Sequence, residues 1–72
     1  MMLGVIRYLV PQHHFAKIAA DRKIFFAHDD DRAFPFVFEV GQWVEFTPVE
    51  NPRGPRAVAI RPCETSVPAR SQ

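Results

Sequence analysis

The chain has 72 residues, 47% of them hydrophobic, with a formal net charge of +1. That length holds one domain and buries only about 60% of the surface its unfolded form exposes, while the apolar fraction excludes a wholly disordered chain. A charge so near zero gives no global attraction to a polyanion. The lone Cys63 leaves neither an internal disulfide nor a Cys/His zinc spacing to staple the fold.

The opening MMLGVIRYLV is apolar but carries Arg7, has no basic residues ahead of it and no small-residue cleavage site behind it. It reads as a strand over residues 5–10, ended by Pro11, which has no N–H for a ladder. Residues 15–20 form a second strand, Asp21-Arg22-Lys23 a short polar connection, and residues 24–28 a third strand paired to the second as a hairpin. The Ala-rich stretch 15–23 is too short, and lacks the N-cap residue, to be read as a helix.

Residues 29–38 are the least regular part. Asp29, Asp30 and Asp31 read as a solvated loop of turn-forming acids, not as a metal site. Phe34, Phe36 and Phe38 recur at every second position, and Pro35 confines any strand there to an edge. Residues 42–48 alternate, with Gln42, Val44 and Phe46 on one face and Trp43, Glu45 and Thr47 on the other. Asn51-Pro52-Arg53-Gly54-Pro55 is a turn. Residues 56–61 form the last strand, with Ala57, Ala59 and Arg61 facing one way and Val58 and Ile60 the other. No stretch reaches the roughly 20 apolar residues that span a bilayer. The expectation is an all-β, small five-stranded antiparallel barrel, OB-like, in a soluble protein of the reducing cytoplasm. Val5, Ile6, Ile18, Ile24, Phe26, Phe38, Val44, Phe46, Val58 and Ile60 are its expected core.

With the strands placed, their residues resemble the cold-shock domain family. Gly4-Val5-Ile6-Arg7-Tyr8-Leu9 is similar to its opening Gly-x-Val-Lys-Trp-Phe. His13 to Ile18 falls on the first RNA-binding motif, Lys-Gly-Phe-Gly-Phe-Ile, and Ile24-Phe25-Phe26-Ala27-His28 on the second. Gly41-Gln42-Trp43-Val44-Glu45-Phe46 matches Gly-Gln-x-Val-x-Phe, and residues 51–60 resemble the closing segment with its Gly-Pro-x-Ala. The resemblance spans residues 4–62. It implies a single OB-fold domain over 1–62, a flexible tail over 63–72, and no cofactor or metal.

The departures fall on the binding face. Tyr8 stands for Trp, Leu9 for Phe, Lys17 for the second aromatic of the first motif, and His14 and Ala16 for its glycines. In the preferred register Phe25 takes the place of the family's stacking Phe and Ala27 that of its His, which leaves Ile24 and Phe26 facing the core. A one-residue shift puts Phe26 and His28 in those places instead.

The resemblance implies binding of single-stranded RNA or DNA. Such a site needs flat rings to stack on bases and cations to follow the phosphates. Tyr8, Phe15 and Phe25 are the expected platforms, Phe34 or Phe36 a fourth, and Arg7, His13, Lys17, His28, Arg53 and Arg56 complete the set. The competing expectation is a protein-interaction barrel that has lost most nucleic-acid binding. In that case outward Trp43 marks a homodimer or partner interface or packs beneath the 34–38 loop. With no Ser/His/acid or Cys/His arrangement and no phosphate loop, an enzyme is not expected.

Overall fold

In the computed structural model, which describes residues 1–63, the alternating segments form five strands: β1 (Met2–Val10), β2 (Phe15–Ala20), β3 (Lys23–His28), β4 (Trp43–Val49) and β5 (Arg56–Pro62). They close into a barrel in the order β1-β2-β3-β5-β4, with β4 returning to β1. One expectation needs correcting. The barrel is not fully antiparallel, because β3 and β5 run parallel where Phe26 meets Arg56. A ring of five strands cannot alternate direction all the way round, since five is odd, so one pair must run parallel. β3 and β5 meet at that one pair, and further along β5 Arg32 bridges Ile60.

The β2–β3 hairpin turns on two residues, Asp21 and Arg22, both at positive φ (50° and 64°), the signature of a tight turn matched to strand twist. That turn sets Ala20 opposite Lys23 and, counting back, Ile18 opposite Phe25 and Lys17 opposite Phe26. In β1 the register with β2 slips between Ile6 and Tyr8, so Arg7 is the extra residue of a β-bulge and the strand changes parity there. A second irregularity lies in β5. Ala59 takes φ 53° where β4 and β5 lose register, so Ala57 and Ile60 both point inward and Ala59 outward. This corrects the expected alternation, in which Ala57 and Ile60 lay on opposite faces.

The core is built from Ile6, Ile18, Phe25, Val44, Phe46 and Ile60 around the small Ala16, Ala27 and Ala57. Complete burial of each large side chain contributes about 1.5–3 kcal/mol. Gly4 marks a close approach of β1 to β2: a Cβ there would lie 2.7 Å from Ile18 Cγ2 and 2.8 Å from the Ala19 carbonyl oxygen. Of the expected core, Val5 and Val58 are half-buried, while Ile24 and Phe26 are exposed.

No strand forms over residues 34–38. The chain touches β5 just before it, where Arg32 bridges Ile60 and the Ala33 N–H donates to the Ile60 carbonyl at 2.7 Å, and the segment is held through Arg32, whose guanidinium donates to the carbonyls of Asp29 and Phe36. Cys63, expected in the tail, is buried and donates its N–H to the Trp43 carbonyl at 2.9 Å. The remainder of the expected tail lies outside the described residues. Among the described residues no helix is long and apolar enough to cross a membrane.

Candidate functional site

The outer surface of β1, β2 and β3 carries the candidate side chains in cross-strand rows, because residues directly opposite on paired strands share a face. One row runs Tyr8, Lys17, Phe26, Arg56 across β1, β2, β3 and β5. The next sets Val10, Phe15 and His28 side by side.

Tyr8 owes its place to the bulge. Unbroken alternation would put it on the inner face with Gly4 and Ile6. The extra Arg7 re-aims its ring to solvent and turns Leu9 back against the core. Arg7 itself is exposed beside it.

Lys17 lies between two rings. Its Nζ is 5.7 Å from the centroid of Tyr8 and 5.9 Å from that of Phe26, within the range at which a cation is drawn to the face of a ring. Phe15 continues the aromatic surface, 6.2 Å from Phe26 and 6.2 Å from the nearly parallel imidazole of His13. His13 closes a short 3-10 turn, Pro11–His13, that links β1 to β2.

Phe25 is not a platform. It is only 3% exposed, with its ring 5.0 Å from Phe46, whereas Phe26 is 43% exposed. The two-residue hairpin decides this. It pairs Phe25 with fully buried Ile18 and Phe26 with outward Lys17, so the expected facing is reversed: Phe25 points into the core and Phe26 outward. Phe36, expected as a fourth platform in alternative to Phe34, lies in the 34–38 segment. It is half-buried against the core and 5.4 Å from Phe38, with which it makes an edge-to-face contact. The more exposed Phe34 leans on it at 5.7 Å. Phe38 and Phe15 line a common groove with Leu9 and Val37.

Beside Phe26 lies an open groove of about 420 Å³, lined by Phe15, Phe26, His28, Asp31, Arg53 and Arg56. The expected 51–55 turn brings Arg53 to it. Asn51 accepts N–H bonds from Arg53 through its side chain and from Gly54 through its carbonyl, and Gly54 has φ 124°. The Phe26 N–H donates to the Pro55 carbonyl at 3.1 Å, which ties the turn to β3.

The three acids, expected as a solvated loop of turn-forming residues, form a 3-10 turn, Asp29–Asp31, capped by His28, in which the Asp31 side chain is only 8% exposed. His28 Nδ1 accepts the Asp30 N–H at 3.0 Å, so the neutral ring carries its proton on Nε2. Asp31 binds Arg56 through both carboxylate oxygens, at 3.0 and 2.8 Å. That hydrogen bond first, and the carboxylate charge second, raise the Arg56 pKa above the ordinary guanidinium value. Among the described residues Arg7, Lys17 and Arg53 form no salt bridge.

Tyr8, His13, Phe15, Lys17, His28, Arg53 and Arg56 thus share one surface, joined by Phe26 and Asp31. Phe26 was legible in the Phe-x-His spacing to His28 and in a count from a two-residue turn. Asp31 had no comparable signal, because its partner lies 25 residues away. Trp43 is 41% exposed on β4, opposite Val5, apart from this row. No family model matches the chain, and a search of curated proteins finds none that matches it.

Proposed function

We propose that this barrel is a cold-shock-like module that binds single-stranded RNA or DNA in the cytoplasm and holds it unpaired on the outer face of β1–β3. The observation that carries the reading is the cross-strand row in which Lys17 sits between the exposed rings of Tyr8 and Phe26. Aromatic faces stack on any base, at about 1–3 kcal/mol per base, and a cation between two platforms lies where the linking phosphate passes. Phe15 supplies a third ring and Arg53 a further cation lining the groove. Lys17 in place of an aromatic gives a shorter site and a steeper salt dependence than a fully aromatic face would have.

Amide shift mapping with oligothymidine or oligouridine tests this. Tyr8, Phe15, Lys17 and Phe26 should shift, and the shifts should diminish as salt rises. Absence of shifts at millimolar oligonucleotide rejects the reading. A second reading, self-association or partner docking through Trp43, draws on its exposure near exposed Leu3 of β1. Sedimentation of the native chain and Trp43→Ala tests it, and two monomers remove the self-association.

A further inference from the structure

Arg56 is held side-on. Its Nε and Nη2 donate to the two oxygens of Asp31, and Asp31 is itself fixed, since its side chain is 8% exposed and Oδ2 also accepts the His28 N–H at 3.2 Å. A guanidinium has five N–H groups in a rigid plane. Asp31 occupies the Nε/Nη2 edge, which leaves the Nη1/Nη2 edge, with its two parallel N–H bonds, open among the described residues on a side chain that is 45% exposed. The carboxylate cancels the guanidinium charge, so the pair offers direction more than attraction. A phosphate is drawn chiefly by net charge, which Lys17 and Arg53 supply. The uncharged edge of a base is drawn by two aimed donors.

We propose that the open edge of Arg56 reads the base stacked on Phe26 and selects bases that present two adjacent acceptors. These are guanine, on its O6/N7 edge, and cytosine, on its O2/N3 edge. Adenine and thymine or uracil alternate donor and acceptor along their edges and can satisfy only one of the two N–H groups. In single strands these edges are free to be read. The groove of about 420 Å³ admits one such base. Asp31 is a positioning residue: it sets the plane of the guanidinium without touching the base. This inference rests on the single-strand reading above.

Fluorescence anisotropy of the full chain with labelled heptamers TTTXTTT tests it, X being G, C, A or T. The G and C oligomers should bind about tenfold more tightly than the A and T ones. Arg56→Lys, which supplies a point charge in place of a planar fork, should bring all four within about twofold of one another. Asp31→Asn should narrow the preference and steepen the log–log salt slope by about 0.7, the value of one added phosphate contact. Thermal unfolding of both variants checks that they are folded.

Equal binding of the four heptamers by the native chain, with Phe26→Ala weakening all of them, overturns base selection and leaves strand binding standing. A preference that survives Arg56→Lys, or a uniform loss in that variant that marks a phosphate grip, also overturns it. No binding to any heptamer removes this inference together with the function on which it rests.

Discussion

Two regions of the barrel are rich in phenylalanine and use it differently. On β2 and β3 a two-residue hairpin and a continuous ladder hold Phe15 and Phe26 outward at fixed spacing, with Lys17 between Phe26 and Tyr8. In the 34–38 segment no ladder exists. Phe36 and Phe38 turn inward, and Phe34 leans on Phe36. Aromatic content is the same kind of signal in both places. What makes it a surface is the ladder, which prevents neighbouring rings from covering one another and places cations in the same register. Within β3 the contrast narrows to adjacent residues: Phe25 lies against Phe46 and Phe26 lies beside Lys17.

That contrast can be broken most directly at Phe25. Phe25→Ala should cost about 3–5 kcal/mol of folding stability by opening a cavity in the core, read by chemical denaturation, with affinity per folded molecule retained. Phe26→Ala should do the reverse. It should lower oligonucleotide affinity by about 1–3 kcal/mol, by anisotropy, with little change in the denaturation midpoint. If both variants lose stability and neither loses affinity, the outer row has no binding role. Phe36→Ala sharpens the comparison between regions. A half-buried ring should cost about 1–2 kcal/mol of stability and leave affinity unchanged. A loss of affinity there would extend the site onto the loop.

The strands were legible because alternation and turn chemistry are local. The predicted span of β2 matches the observed one, those of β3, β4 and β5 differ from the observed spans by one residue at one or both ends, and β1 begins three residues earlier than predicted. What stayed hidden was parity. Arg7 and Ala59 each shift a strand by one residue, and no side-chain pattern in these segments announces a bulge. Phe25 and Phe26 were exchanged for a related reason. Two equal rings in sequence carry no preference of their own, and only the turn length, two residues or three, decides which faces Ile18. The Asp31–Arg56 pair was illegible because a contact between residues so far apart follows only once β5 lies against β3.

The smallest expected effect concerns the cation between the rings. If Lys17 neutralises a phosphate, Lys17→Gln should flatten the log–log dependence of affinity on salt by about 0.7. The loss would be evident at low ionic strength and vanish as salt rises. Phe26→Ala should instead lower affinity by a similar factor at every salt concentration, since stacking releases no counterion. The two variants therefore separate the row into its ring and charge contributions. An unchanged slope for Lys17→Gln would mean that Lys17 only spaces the rings of Tyr8 and Phe26. Its attraction to each ring face, about 0.5–1 kcal/mol at an exposed site, would then appear as a small loss of folding stability instead.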